Sequence, residues 1–547
     1  MTQMSKIKLM ALGGLNENGK NTYIVEVDDA IFIFDAGIKY ASESMYGIDY
    51  IIPDYDYLVK NKKKIKGLFL THAHPENVLG VFDILKVLPS IKIFATKYTI
   101  EYLKLEGIDP KRIIEITAHH KINFGPVSIF PININHSVPD SVMYVINTCD
   151  GSIVYTGDFL IDPSMTGSFS MDLGKIAYVG KLGVLCLMSE SSFSEHIGHT
   201  SPNHKFKNFY TEIVNKREGR LIVSLFDDHL YTIQEIFDSL ANFHGKVVIM
   251  GHKLQSLINM ATTLGYLNIR PNLIGGLENI NDKNTVILVC DDKKNQYHAI
   301  RKITGGYDKF ITLREKDTIL FAEPSYDYTE KTLVELQNEL ALMNVDTYTI
   351  PKGRDILQHA SSEDLMMMMD LLKPKYVMPV EGEYRYMVGN ANLASSLGIP
   401  SSNIILKQNG EAAIFESGVL TDKKEIVKIN ETLIDGSMGE DVGELVIKDR
   451  EVLGENGIVL VSASLSKKTK EILVGPEVTT RGFIYVRDSS EIIAEIKKIS
   501  IEIIEKYTTD KFVDYNAIKQ EIRERLSKYF YSETESKPMI IAVIQEV

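Results

Sequence analysis

Cysteine is scarce in this chain: three in 547 residues, Cys149, Cys186 and Cys290. Their spacing matches neither a disulfide framework nor a Cys-rich zinc motif. That excludes a disulfide-stapled secreted scaffold and fits a reducing cytosol. Long apolar runs are also missing, and the N-terminal Met1–Lys8 carries no apolar core of a signal peptide. A soluble, cytoplasmic protein with no membrane partner is therefore expected. Positive charge is in deficit too: 60 Lys and Arg against 73 Asp and Glu, a formal net charge of −13. This argues against a broad, non-specific nucleic-acid surface but leaves room for a local basic groove.

What is present is a globular composition, 44% hydrophobic and 24% charged, in a chain long enough for about three or four domains. The first two hundred or so residues read as short strands between Gly, Asn and Asp turns. The runs Thr22–Val27, Ala30–Phe34, Gly67–Leu70, Val127–Phe130, Val142–Asn147 and Ile153–Thr156 are apolar and β-branched. Helical patterns at Val81–Val87 and Lys97–Leu105 fall between them, which suggests an αββα sandwich. The rhythm then changes: Leu221–Leu225 with Tyr231–Ala241, and Val247–Met250 with Leu254–Leu264, look like βαβ units of a parallel sheet. The earlier style resumes with a helix at Ser362–Leu372 and a strand at Tyr376–Pro379. Residues 430–445 read as a linker. Beyond it, strands Gly457–Ala463, Phe483–Arg487 and Met539–Val547 with helices Ser490–Tyr507 and Asp514–Tyr531 form a small α+β domain.

The segment Thr71-His72-Ala73-His74-Pro75-Glu76-Asn77 carries the chemistry. Two histidines one residue apart follow an apolar run and sit at the end of a strand. A dinuclear hydrolytic loop would continue His-x-His-x-Asp-His, and here Glu76 and Asn77 stand in the last two places. His136, in Asn135-His136-Ser137-Val138-Pro139-Asp140-Ser141, and Asp158, in Thr156-Gly157-Asp158, each follow a strand. Three imidazoles and a carboxylate make a complete set for one zinc. A lone His-x-His is weak; the combination is specific.

These residues bring the chain to a family. It resembles the ribonuclease J family, metallo-β-lactamase-fold nucleases with an inserted β-CASP domain. Gly13-Gly14-Leu15-Asn16-Glu17-Asn18-Gly19-Lys20-Asn21, Phe34-Asp35-Ala36-Gly37, His136-Ser137-Val138-Pro139-Asp140-Ser141 and Thr156-Gly157-Asp158-Phe159 are similar to family motifs. So are Ser189-Glu190-Ser191, Pro379-Val380-Glu381-Gly382-Glu383 and Gly475-Pro476-Glu477-Val478-Thr479-Thr480-Arg481-Gly482-Phe483. The resemblance implies an α/β architecture in which residues 1–205 and 347–429 form the metallo-β-lactamase αββα sandwich. Residues 206–346 would be the β-CASP insertion and 446–547 a C-terminal assembly domain. It also implies RNA as substrate and a role in mRNA turnover and rRNA maturation through 5′→3′ exonuclease and endonuclease activity. The implied cofactor is a zinc pair, or zinc with manganese.

Carried over residue by residue, the resemblance leaves the first metal's set intact as His72, His74, His136 and Asp158. The second set departs from the pattern at Glu76, Asn77 and Glu381. Glu76 keeps a carboxylate on a longer arm, and misplacement of that order can cost about a hundredfold in rate. Asn77 offers a neutral amide oxygen, a poor zinc ligand. Glu76 and Glu381 with Asp158 would hold manganese or magnesium weakly, or one carboxyl would stay protonated or turn outward. One strong zinc site at most is expected.

The catalytic candidates are Glu76, Glu190 and His359. The phosphate-handling loops map to Asp227, Asp228 and His229 and to Asp355, Ile356, Leu357, Gln358 and His359. The family's Ser and Gly are lost at Leu357 and Gln358, an arginine is lost at Thr232, and two aspartates would repel a phosphate. Within the family such a chain is most similar to the degenerate second paralogue of low-GC Gram-positive bacteria. That implies a weak or inactive subunit supporting an active ribonuclease J paralogue in a homo- or hetero-oligomer, with RNA degradosome components as further partners. The alternatives are an active exoribonuclease with an unconventional second metal site and a small-molecule hydrolase on the same fold.

Overall fold

The computed structural model describes residues 5–42, 45, 47–291, 295–325, 329–351, 359–435, 440–441, 443–483, 490–509 and 513–547. The chain divides into two compact units, Met1–Tyr40 with Ile51–Thr432, and Ala41–Tyr50 with Leu433–Val547.

In the first unit two mixed sheets face each other. One has eight strands in the order Val419–Leu420, Ala413–Glu416, Lys6–Gly13, Thr22–Val27, Ala30–Phe34, Ile65–Phe69, Ile93–Ala95, Ile113–Glu115. The other has six, ordered Tyr376–Pro379, Val184–Ser189, Gly151–Tyr155, Val142–Thr148, Val127–Asn133, Ile122–Phe124. The period of two along each strand makes the sandwich. Tyr144 and Ile146 join Phe32, Phe34 and Phe69 of the opposite sheet in one buried cluster. Their alternates Met143 and Val145 turn outward onto helices Leu173–Leu182 and Ser362–Leu372, meeting Ile176, Val179, Leu365 and Met368. Each such side chain, fully buried, contributes about 1.5–3 kcal/mol. The αββα sandwich expected from the sequence is present.

The rhythm change after residue 206 also has a structural cause. Strands Lys246–Ile249, Thr285–Asp291, Leu221–Phe226, Thr318–Phe321 and Asp346–Thr349 form a five-stranded, wholly parallel sheet in that order. Parallel pairing requires crossovers, supplied by helices such as Leu230–Ser239 and His252–Thr263.

In the second unit, strands Ile472–Arg481, Ile458–Leu465 and Met539–Glu546 form a sheet under helices Ser490–Thr508 and Tyr515–Thr534. Asp514 caps the last helix, accepting from Asn516 and Ala517 backbone N–H groups. Ile496, Ile499 and Ile503 pack into this unit's own core with Val459, Val461 and Phe530. That stripe therefore covers its own sheet.

One expectation differs from the structure. Residues 430–445 are not an unstructured linker where described: Glu431–Asp435 is a strand and Glu444–Asn456 a helix. The pairing is non-local, with Asp54 N–H donating to the Asn430 carbonyl and Asp49 N–H to the Ile434 carbonyl. Composition alone hides it. The strand expected at Phe483–Arg487 lies mostly outside the described residues. The preceding strand, Ile472–Arg481, went unrecognised because it is an exposed edge strand interrupted by Gly475-Pro476.

Candidate metal centre

Strand direction gathers the site. Strands Gly151–Tyr155, Val184–Ser189 and Tyr376–Pro379 run parallel as neighbours. The residues just beyond them, Asp158, Glu190 and Glu381, therefore lie side by side at one edge of the sandwich. In the facing sheet Ala30–Phe34 and Ile65–Phe69 are also parallel, which sets Asp35 beside the Thr71–His74 loop. His136 reaches the same edge from the turn after Val127–Asn133. The loop from Pro75 is pinned by backbone: Ala36 N–H donates to Asn77 O (2.7 Å), Ile38 N–H to Pro75 O (3.1 Å) and Asn21 N–H to Glu76 O (3.1 Å). A Cβ at Gly37 would fall 1.5 Å from the Glu76 carbonyl oxygen, so the Asp-Ala-Gly motif exists to let this loop approach.

His72, His74, His136 and Asp158 are all buried, and their ligating atoms lie within 4.8 Å of one another. His74 Nδ1 is 3.1 Å from His72 Nε2 and 3.1 Å from His136 Nε2. Asp158 Oδ2 is 3.3 Å from His72 Nε2 and 3.9 Å from His136 Nε2. Zinc–nitrogen bonds of roughly 2.0–2.1 Å give a tetrahedral edge of about 3.3–3.4 Å, so the spacing fits one zinc.

The surrounding groups fix the ring orientations. His72 Nδ1–H donates to Thr71 Oγ1 (2.9 Å), whose own hydroxyl donates to Asp35 (2.8 Å). His74 Nε2 faces Ser137 Oγ (3.0 Å) and the Asp228 carbonyl (3.2 Å), leaving Nδ1 for the centre. Burial pushes the Asp158 carboxyl up, but His72 and the groups around it outweigh this and hold it well below its usual range. It is thus an anion facing imidazole nitrogens, which is what a zinc ligand must be.

The second set is arranged differently. Asn77 Nδ2 donates to Asp35 Oδ2 (3.0 Å), and Asn77 Oδ1 accepts from Asn21 Nδ2 (3.4 Å). Asn21 Nδ2 also donates to Glu381 Oε1 (3.0 Å). Asp35 takes further hydrogen bonds from Thr71 N–H and Tyr155 O–H, each 2.8 Å. Burial, then the charges of Asp158 and Glu190, push the Glu381 carboxyl well above its usual range. The shift favours its protonated form beside Asp158. Among the described residues, the groups of three or more ligating atoms close enough for a metal include neither Glu76 nor Glu381. The pair expected to hold a weak second ion is therefore not gathered into a ligand set.

Glu190 and His359 do come together. His359 Nδ1–H donates to Glu190 Oε2 (2.7 Å), and Glu190 Oε1 accepts from Phe159 N–H (2.6 Å). His359 stacks on Phe193, with centroids 5.5 Å apart at 5°, and its ring lies 5.6 Å from that of His136. With Asp158 they form a second close group of ligating atoms.

Asp227, Asp228 and His229 are buried, at 8%, 4% and 5% exposure. Asp227 pairs with Lys253 (3.2 Å), and burial pushes its carboxyl up to about 6. His229 meets Glu323 and lies 5.6 Å from the His74 ring. Asp355, Ile356, Leu357 and Gln358 lie outside the described residues.

Sequence reasoning gave no role to Asn21, Thr71, Ser137, Phe193 or Glu323. For Glu323 no local signal exists, because its neighbours come from a different strand. Asn21 and Asp35 lie in the motifs Gly13–Asn21 and Phe34–Gly37, and that placement is the signal for their supporting role.

The comparisons with known proteins agree with this fold. Sequence profiles match for the metallo-β-lactamase superfamily over residues 15–252, the ribonuclease J β-CASP domain over 218–340, the Zn-dependent metallo-hydrolase RNA specificity domain over 358–403 and the ribonuclease J C-terminal domain over 445–547. Ribonuclease J 2 of Staphylococcus epidermidis (strain RP62A) is 33% identical over 99% of this chain and 98% of its own length. Ribonuclease J 2 of Staphylococcus aureus (strain MRSA252) is 34% identical over 99% and 98%. Among solved structures, a protein of unknown function from Enterococcus faecalis V583 superposes with a TM-score of 0.51 at 17% identity, covering 75% of this chain and all of that one, a likeness of fold alone. Among the described residues no helix is long and apolar enough to cross a membrane. With relatives matched from end to end and a zinc-type ligand set at the strand ends, this chain belongs to the ribonuclease J family.

Proposed function

We propose that this chain is a cytoplasmic ribonuclease J subunit that holds one tight zinc. Its own 5′→3′ exonuclease and endonuclease turnover is weak or absent, and it supports an active paralogue in mRNA turnover and rRNA maturation. The observation that carries this reading is the Asn77 amide. Both its ends are committed, to Asp35 and to Asn21, at a position where the family pattern has a metal ligand. A protonated Glu381 extends the same network. Hydrogen bonds have taken the place of the second ligand set.

His72, His74, His136 and Asp158 would hold the zinc, which supplies Lewis-acid stabilisation of charge developing on a phosphodiester. The chain's own contribution is positional. Asp35 acting through Thr71 fixes His72, and Ser137 fixes His74. Glu190 holds a proton on His359 Nδ1, which leaves Nε2 as the face for proton transfer. That intact dyad beside Asp158 favours one second reading, a residual exoribonuclease with an unconventional second metal site. Partners follow from the family: RNA, an active ribonuclease J paralogue in a homo- or hetero-oligomer, and degradosome components.

The test is turnover on 5′-monophosphorylated RNA, with zinc content measured alongside, with and without an active paralogue from the same organism. Weak or no turnover alone, about one zinc per chain, and co-purification with the paralogue are expected. Turnover by the isolated chain equal to that of the paralogue would overturn the subunit reading in favour of the active enzyme.

A further inference from the structure

His74 belongs to the sandwich, but both groups that meet its outer nitrogen are set by the parallel-sheet domain. His74 Nε2 is 3.2 Å from the Asp228 carbonyl oxygen and 3.0 Å from Ser137 Oγ. Asp228 follows strand Leu221–Phe226 of the parallel sheet. Ser137 lies on the sandwich, yet its carbonyl accepts the Tyr231 N–H at 2.9 Å, from the first turn of helix Leu230–Ser239. A hydroxyl can donate or accept, whereas a carbonyl only accepts. The Asp228 carbonyl therefore decides that Nε2 carries the hydrogen. In the neutral ring Nδ1 is then the lone-pair nitrogen, and Nδ1 is the atom facing His72 and His136. Metal-binding histidines are commonly oriented this way, through the nitrogen that does not touch the metal. Here the orienting group comes from the other domain.

The carbonyl is itself held from both sides. Asp227 pairs with Lys253 (3.2 Å), which also pairs with Glu106 of the sandwich (3.1 Å). His229 Nδ1–H donates to Glu323 Oε2 (3.1 Å), and Glu323 follows Thr318–Phe321, the parallel neighbour of Leu221–Phe226. His229 and Glu323 are both buried, which shields this bond from water. The His229 ring packs against Phe226 and His74, with centroids 5.7 and 5.6 Å away.

We propose that Glu323 and His229 are positioning residues for the zinc site. They hold the Asp228 carbonyl on His74 Nε2, which selects the ring form that ligates zinc through Nδ1. Zinc affinity and the seating of the parallel-sheet domain on the sandwich then form one linked equilibrium. By reciprocity, zinc tightens the contacts of residues 228–231. The inference rests on the zinc part of the proposed function and on nothing about turnover.

The experiment measures zinc affinity of the full chain by competition with a chromophoric chelator, and amide hydrogen exchange over residues 228–231 with and without zinc. Wild type should bind zinc and exchange the Tyr231 N–H more slowly when zinc is present. His229→Phe keeps a ring in place and loses the bond to Glu323; Glu323→Ala removes that bond from the other side. Each should weaken zinc about ten- to a hundredfold and abolish the effect of zinc on exchange. Glu323→Gln keeps an acceptor for His229 Nδ1–H and should stay close to wild type. Leu336→Ala removes packing from the core of the same domain and should leave zinc affinity unchanged. Wild-type affinity in both disruptive variants, equal weakening by Leu336→Ala, or exchange indifferent to zinc would overturn the proposal. A wild type that takes up no zinc would sink the zinc reading itself, and this inference with it. Should the disruptive variants misfold, the zinc dependence of exchange in wild type still decides.

Discussion

The two halves of what the family builds as a dinuclear centre share one edge of the sandwich and nearly the same burial. Their polar atoms are nevertheless spent differently. In the first half, three ring nitrogens and the Asp158 carboxylate converge at 3.1–3.9 Å, the spacing of a zinc ligand set. In the second half, Asn77, Asn21, Asp35 and Glu381 Oε1 are joined by hydrogen bonds, while Glu381 Oε2 is buried without one. A buried polar cluster is stable when every group has a partner, whether that partner is a metal or an amide. Losing a ligand histidine therefore need not leave a hole. An amide of similar shape closes the network and the fold survives.

The most severe break of this comparison is His72→Ala with His136→Ala. It should take the protein from about one zinc per chain to none, by mass spectrometry of the native protein, because two of four ligands are gone. Zinc retained in that variant would mean that the cluster is not the site.

Next in size is Glu190→Gln. The amide no longer holds the His359 proton, so kcat on 5′-monophosphorylated RNA should fall about a hundredfold from the wild-type value, with KM nearly unchanged and zinc still bound. A change confined to KM would reassign the dyad to substrate binding.

Asn77→Ala sharpens the contrast from the other side. It leaves the Asp35 carboxylate and Asn21 short of partners, and should cost about 1–3 kcal/mol in urea unfolding. Zinc content should be unaffected; its loss would make Asn77 part of the metal set after all.

Glu381→Gln should matter least. The glutamine mimics the neutral acid, so zinc is kept. Wild-type Glu381 has a folded-state value raised well above the usual range. Its contribution to stability is therefore full below the unfolded value of about 4.5 and is lost as pH rises toward the folded one. Metal-free wild type should then lose stability relative to Glu381→Gln as pH rises above about 4.5, the unfolded value. Parallel curves for the two proteins would show that Glu381 is already ionised.

Much of this was legible in the chain. His72, His74, His136 and Asp158 were readable because each follows an apolar run that ends at the same sheet edge. Helices Val81–Val87, Lys97–Leu105 and Ser362–Leu372 appear with the expected bounds because one apolar face defines each. What escaped were the groups that act across elements. Glu323 meets His229 only because two strands are parallel neighbours, and Asn21 reaches Asn77 and Glu381 only once the loops after three strands are closed. The edge strand Ile472–Arg481 escaped for a related reason: exposed on most of its residues, it places a proline and a threonine, Pro476 and Thr480, at its buried positions, so no apolar alternation shows in the sequence.

By itself, then, the amino-acid order determined the period-two strands, the amphipathic helices, the change from mixed to parallel sheet and the presence of a zinc-type ligand set, because these are local patterns of apolar and ligating residues. Tertiary structure alone decided that Asn77 and Glu381 close a hydrogen-bond network and that Asp228 and His229 face each other beside it. Which partner a buried polar atom finds depends on distances between segments remote in sequence, and no local pattern records them.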